Sequence, residues 1–145
     1  MAWALATGAA VLMGLALRFF VDPLLRQATP EEFPATFSQW LAMTLFVLSF
    51  NQLFLIFAPL AWLARLGGRT AFAVTVTVLF SMMLLLRKAG TSAEPFSATL
   101  LVMMLGVRLV RSLLVAGIYL QGGVWLASWF ALVLQARLLP ELLQW

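Results

Sequence analysis

The sequence contains no cysteine and no histidine among its 145 residues. Without cysteine, the chain has no disulfide, thiolate nucleophile or iron–sulfur site. Without histidine, zinc hydrolysis, Ser-His catalysis and axial ligation of haem or chlorophyll all lack their usual residue. The sequence therefore predicts no metal site, and it predicts no cofactor held by these ligands.

Charge is also scarce, because only 10% of the residues are charged and 64% are hydrophobic. The mean hydropathy of +1.05 is far above that of a water-soluble domain. The nine Lys and Arg residues and the five Asp and Glu residues lie mostly between long apolar runs. The basic excess is therefore typical of membrane topology rather than of a nucleic-acid-binding surface, and we expect no nucleic-acid partner.

Hydrophobic runs near the length of a membrane-spanning helix, about 20 residues, recur along the whole chain. No Lys or Arg precedes the first run, so it is not expected to be a signal peptide. We predict an all-α, polytopic integral membrane helical bundle forming one domain over residues 1–145. Its five hydrophobic helices, of which the last is short, are expected at residues 3–21, 37–64, 70–86, 97–120 and 124–139.

Two connections between these runs have their own sequence signals. Residues 24–36 contain Pro30 and Pro34, which interrupt helices, so an interfacial connection is expected there. Gly122 and Gly123 separate the last two runs, and glycine tolerates the positive φ that a tight reversal often needs. We therefore predict that the chain reverses at this pair.

The distribution of basic residues predicts an orientation, because cationic loops tend to stay in the cytoplasm. Alternate connections divide the basic residues into a larger and a smaller set. The larger set contains Arg18, Arg26, Arg87, Lys88 and Arg137, and the smaller contains Arg65 and Arg69. We expect a periplasmic N-terminus and a cytoplasmic C-terminus in a bacterial inner membrane.

The first helix has a smooth face, because Ala2, Ala6, Ala10 and Gly14 recur at intervals of four residues. Small residues at this spacing allow another helix to approach closely. The face could pack within this chain or against a partner subunit, and the sequence leaves both alternatives open.

Polar side chains inside the apolar runs are few, and unpaired polar groups are costly in hydrocarbon. Asn51 and Gln52 lie in the second run, Ser81 in the third and Gln135 in the last. The simplest interpretation of the two adjacent amides is hydrogen bonding between helices, worth about 0.6 kcal/mol each.

Arg108 and Arg111 lie one turn apart in the fourth run. All five acids, Asp22, Glu31, Glu32, Glu94 and Glu141, fall in predicted connections or in the C-terminal tail. The two arginines should therefore bind loop acids, helix-end carbonyls, a lipid phosphate or an acidic group of a partner. The alternative is that they snorkel to the membrane surface without a specific partner.

The order of motifs from Asn51 to Gln135 resembles the CAAX-protease and bacteriocin-processing (CPBP) family of intramembrane endopeptidases. The stretch 117–125 resembles that family's Gly-x-x-Tyr-Leu-x-x-Gly-x-x-Trp turn with one residue missing. The family's Glu-Glu-x-x-x-Arg, Phe-x-x-x-His and His-x-x-x-Asn motifs correspond to Asn51, Gln52 and Ile56, to Phe80 and Leu84, and to Ala131 and Gln135. The resemblance implies a CPBP-like four-helix core over residues 37–139, preceded by residues 1–36.

The residues at these motif positions have a chemical consequence. The resemblance implies that the family's Glu pair and histidines act as general acids and bases, which requires titratable groups. Asn51 and Gln52 form hydrogen bonds but do not exchange protons, and Leu84 and Ala131 do neither. We therefore expect a pseudoenzyme that has the fold without the proteolytic activity.

Two functions follow from these expectations. The first is a non-catalytic accessory or structural subunit that packs with other integral membrane subunits. The second is a membrane module that binds a lipid, an isoprenoid or a pigment in the former active-site cavity. Asn51, Gln52 and Arg108 would then be the polar contacts of the bound molecule.

Overall fold

The computed structural model describes residues 1–30, 33–67, 70–91 and 97–142. Within these ranges the chain is almost entirely helical and contains no β-strand. The α-helices are α1 (Ala2–Ala16), α2 (Asp22–Ala28), α3 (Phe37–Phe46), α4 (Ala58–Gly67), α5 (Thr70–Thr91), α6 (Ala98–Gln135) and α7 (Leu139–Leu142). Two π-helical segments, Leu17–Val21 and Val47–Phe57, and a 3₁₀ turn, Ala136–Leu138, connect some of them.

Three helices are long and apolar enough to cross a membrane: Ala2–Ala28, Thr70–Arg87 and Ala98–Leu138. The all-α class is therefore confirmed for the described residues, and the prediction of helices that could span a membrane is confirmed for these three. A shorter apolar helix covers Phe37–Phe50 within the second predicted run. The total of five spans and the CPBP-like core stay predictions.

The first helix is longer than the sequence predicts. The expected end at residue 21 is wrong, because α1 continues through the π-helical segment Leu17–Val21 into α2 and ends at Ala28. Pro23 is the second residue after the π-helical segment, so the residue that lacks a backbone N–H stands where the helix type changes. Asp22 consequently lies inside a helix and not in a connection. The connection predicted to begin at residue 24 begins after Ala28.

The second predicted run is helical throughout its described backbone. α3 begins after Thr36, whose Oγ1 accepts a hydrogen bond from the backbone N–H of Gln39 at 3.3 Å. The π-helical segment Val47–Phe57 joins α3 to α4, and Pro59 lies in the first turn of α4, where the helix type changes. The side chains of residues 51–55 lie outside the described residues.

The chain turns back on itself within α6, at Gly123. The φ of 70° and ψ of −166° at Gly123 are non-helical and strongly favour glycine. Val110, which precedes Gly123 in the chain, lines a groove together with Ala9 of α1. Val133, which follows Gly123, lines a second groove together with Ala10 of α1. In a straight helix Val110 and Val133 would be about 34 Å apart. Because both lie beside the same turn of α1, the predicted reversal is present, with the positive φ at Gly123.

The reversal divides α6 into two arms, residues 98–122 and residues 124–135. The second arm runs parallel to α1, because the Trp3 and Trp129 rings lie 6.0 Å apart at one end and Asp22 binds Arg137 at the other. Two segments of α6 therefore pack against α1, and the first arm also contacts α5.

The hydrophobic core lies where α1, the segment Val47–Phe57 and the two arms of α6 meet. Ala10, Val115, Phe130 and Leu134 are fully buried in it. The Phe57 ring stacks on Tyr119 with centroids 4.9 Å apart. The small residues of α1 allow this packing, since a longer side chain at Ala10 would separate the helices.

We predict that Gly123→Ala destabilises the protein by about 1–3 kcal/mol, because alanine is strained at this φ and ψ. Gly122→Ala should also destabilise it, because the added Cβ would lie 2.8 Å from Leu126 Cβ. Gly117→Ala is the matched control: its Cβ would meet no described atom within 4 Å. Unfolding of the three variants in mixed detergent micelles, followed by circular dichroism, tests this. Equal stabilities would contradict the reversal.

Candidate functional site

A polar network connects α5 to the first arm of α6. Nε–H of Arg108 donates a hydrogen bond to Ser81 Oγ at 2.7 Å, and the Ser112 hydroxyl donates to the same oxygen at 3.3 Å. Both serines are 4% exposed. Arg108 thus has a partner in its own chain. That partner is a neutral hydroxyl, which is not among the acids, carbonyls and phosphate expected from the sequence. The hydroxyl satisfies a donor but does not neutralise the charge.

Arg111 lies near the middle of the first arm and differs from Arg108 in its surroundings. It precedes Val115, which is 0% exposed, by one helical turn, so both side chains project from the same face toward the core. It is half-buried, and it lies within electrostatic range of Arg108 and Arg137. Among the described residues, no hydrogen-bond or ion-pair partner of Arg111 is present.

Asp22 and Arg137 form a two-point ion pair between the first helix and the end of the last. Arg137 Nε donates to Oδ2 at 3.1 Å, and one Nη donates to Oδ1 at 3.2 Å. The other Nη donates to the carbonyl of Leu134 at 3.2 Å. Asp22 is 2% exposed, so this charge-assisted pair is largely shielded from solvent.

The sequence analysis missed this ion pair. Asp22 stands next to Pro23, which led us to place it in a connection, and Arg137 served only to predict orientation. The distribution of basic residues places Arg137 on the same side of the membrane as the end of the first run. The lone acid at one run end and the arginine at another could have been paired on that basis.

The positions that correspond to CPBP motifs occupy different environments. Ile56 belongs to the hydrophobic core, and Ala131 is buried close in sequence to Phe130, which shares that core. Phe80 is 37% exposed, while the adjacent Ser81 is directed toward α6. Leu84 is half-buried, and the backbone carbonyl of Gln135 accepts a hydrogen bond from Trp40. The side chains of Asn51 and Gln52 lie outside the described residues.

The smooth face of the first helix packs inside the protein. Ala6, Ala10 and Gly14 are all buried. A Cβ added to Gly14 would lie 3.6 Å from Arg137 Cβ and 3.8 Å from a Leu134 methyl carbon, an ordinary contact distance. Of the two alternatives left open by the sequence, the described contacts therefore correspond to packing within the chain, against the second arm of α6.

An apolar groove of about 650 Å³ lies between α1 and the first arm of α6. Among the CPBP motif positions whose side chains the structure describes, none lines it, and neither does Arg108. Its lining consists of Ala9, Leu12, Met13, Ala16, Leu17, Phe20, Val21, Met103, Gly106, Val107, Val110 and Leu114. The groove can hold a hydrocarbon chain, but it offers no charged side chain to a ligand.

Comparisons of this chain with protein families, with curated proteins and with solved structures found no match. The interpretation of the site therefore depends on its own residues and contacts.

We predict that Asp22→Asn destabilises the protein by about 3–5 kcal/mol, the usual cost of removing one member of a buried ion pair. Arg137→Gln should have a similar effect, because it leaves the Asp22 carboxylate unpaired. The double variant Asp22→Asn/Arg137→Gln should be more stable than the sum of the two losses predicts. Detergent unfolding of all four proteins gives this double-mutant cycle, and strictly additive effects would show that the pair is not coupled.

Proposed function

We propose that this chain is a non-catalytic integral membrane subunit that packs with other membrane proteins in a larger complex. The observation that carries this proposal is Arg111, a cation in an apolar helix for which the described residues provide no anion. An arginine at the centre of a spanning helix costs about 2.5–3.5 kcal/mol on insertion scales. A group outside the chain that compensates this charge would recover part of that cost.

The charges of the described side chains support an external partner. Asp22 is the one carboxylate among them, and Arg137 already binds both of its oxygens. Arg108 has the neutral hydroxyl of Ser81 as its partner, so neither Arg108 nor Arg111 has a counter-charge among the described side chains. Arg111 is only half-buried, which leaves part of its side chain within reach of a neighbouring subunit. A carboxylate or backbone carbonyls of that subunit would supply the missing acceptors.

We propose further that the bundle is a CPBP-like pseudoprotease. The support is the set of side chains at the family's motif positions, where Asn51, Gln52, Leu84 and Ala131 replace groups that exchange protons. A unit that has lost several acid–base groups at once retains little of its rate enhancement. Such a protein would keep the helical scaffold as a surface for assembly.

A second candidate function is a membrane module that holds a lipid, an isoprenoid or a pigment. The groove of about 650 Å³ favours it, because its lining is apolar along α1 and the first arm of α6. The described CPBP motif positions Ile56, Phe80, Leu84, Ala131 and Gln135 do not line this groove. A small molecule retained on the isolated chain after mild purification would favour this function.

The proposed location is a bacterial inner membrane, with the N-terminus in the periplasm. The support is the unequal distribution of Lys and Arg between alternate connections.

We predict that Arg108→Leu/Arg111→Leu weakens co-purification of the partner subunit while the chain still inserts into the membrane. The single variant Arg111→Leu should have most of this effect, because Arg108 already bonds Ser81. Native mass spectrometry of complexes extracted from the original membrane with a mild detergent measures the stoichiometry. A loss of roughly tenfold in recovered complex is expected, equivalent to about 1.4 kcal/mol.

Arg65→Leu is the control for that experiment. It removes the same charge from an exposed position of α4 and should leave the complex intact. If the double variant assembles like the unchanged protein, the arginines only snorkel and the proposed function loses its main support.

We also predict that the reconstituted protein does not cleave prenylated or leader-peptide substrates. The reason is the lack of titratable side chains at positions 51, 52, 84 and 131. Mass spectrometry of each substrate after incubation measures cleavage. Activity that disappears in Asn51→Ala and Gln52→Ala would overturn the assignment as a pseudoenzyme, since contaminating proteases would be unaffected by those changes.

A further inference from the structure

A second groove, of about 290 Å³, lies between α1 and the last helical segment of the chain. Part of its wall is formed by the small residues Ala10, Gly14 and Ala136. Val11, Leu15 and Val133 contribute apolar side chains, and Arg18, Arg137 and Pro140 complete the lining. This groove differs from the larger apolar one because it combines a hydrocarbon surface with two guanidinium groups.

The two arginines retain hydrogen-bond donors for a ligand. Arg18 is half-buried and has no hydrogen bond or ion pair to the described residues. A guanidinium has five N–H donors, and Arg137 uses one on Nε and one on each Nη for Asp22 and Leu134. Each Nη of Arg137 therefore keeps one N–H. Asp22 neutralises one of the two guanidinium charges. Arg18, Arg137 and Asp22 together therefore carry one net positive charge.

Both arginines lie near the ends of apolar runs, where lipid phosphates are expected. Arg18 precedes the end of the first apolar run by three residues, and Arg137 precedes the end of the last by two. The second arm runs parallel to α1, so these two run ends lie on the same side of the membrane. Leu15 lies about one turn closer to the membrane centre than Arg18, and Val11 lies about two turns closer.

We infer that this groove binds an anionic phospholipid. Its phosphate would accept hydrogen bonds from Arg18 and from the free N–H groups of Arg137. An acyl chain would lie along Val11, Leu15 and Val133. The charge of the groove favours a phosphate, and the apolar surface below it favours a lipid over a free anion. This site shares no residue with Arg108 and Arg111, so it does not depend on the proposed partner subunit.

Lipid titration of the purified full chain in a mild detergent, followed by native mass spectrometry, tests this inference. We expect dioleoyl phosphatidylglycerol to bind at least tenfold more tightly than dioleoyl phosphatidylcholine. Arg18→Gln should remove most of this preference, and Arg18→Lys should keep part of it because the charge remains. Arg65→Gln removes an equal charge from an exposed position outside the groove and should change nothing.

Three results would overturn the inference. The first is equal binding of the two phospholipids by the unchanged protein, a comparison that does not depend on the folding of any variant. The second is a phosphatidylglycerol affinity that Arg18→Gln leaves unchanged. The third is a result that shows no contribution of the acyl chain to binding. Inorganic phosphate would then compete for the groove as well as the lipid does, or dihexanoyl phosphatidylglycerol would bind as tightly as the dioleoyl form. In either case the ligand is not a lipid.

Discussion

The ion pair between Asp22 and Arg137 is the interaction on which the electrostatics of the rest of the bundle depend. It joins the first helix to the end of the last, and it uses both oxygens of the one carboxylate among the described side chains. Charges buried in an apolar environment need a counter-charge, and Asp22 is the one acid that the described side chains offer to the arginines of the spanning helices. The described side chains provide no anion for Arg18, Arg108 or Arg111; Arg108 has the neutral hydroxyl of Ser81, and we propose molecules outside the chain as partners of the other two.

Small residues at two places in the chain allow Asp22 and Arg137 to meet. Ala6, Ala10 and Gly14 form a face along which the second arm of α6 lies closely against α1. Gly123 reverses the chain so that this arm runs parallel to the first helix and brings Arg137 beside Asp22. The same arrangement places Ser81 of α5 against Arg108, because the first arm of α6 then lies between α1 and α5.

The remaining positive groups differ in the chemistry that suits them. Arg111 is half-buried, and the proposed partner subunit would supply acceptors to the exposed part of its side chain. Arg18 lies at the end of an apolar run, at the depth of lipid headgroups, beside an apolar groove. Both roles are forms of binding, which agrees with the proposal of a scaffold without acid–base chemistry. In that proposal, amides and aliphatic side chains at the motif positions preserve the packing of the bundle and exclude proton transfer.

The sequence by itself determined the helical membrane-spanning character, because long apolar runs in a bilayer must satisfy their backbone hydrogen bonds within a helix. It also located the reversal at Gly123, where a local conformation needs glycine, and it singled out Arg108 and Arg111 by their charge alone. Tertiary structure decided which groups meet. Asp22 and Arg137 are 115 positions apart, and Arg108 and Ser81 belong to different helices. Local spacing carries no information about such pairs, because they depend on how the helices pack and on where a helix such as Ala2–Ala28 continues past a proline.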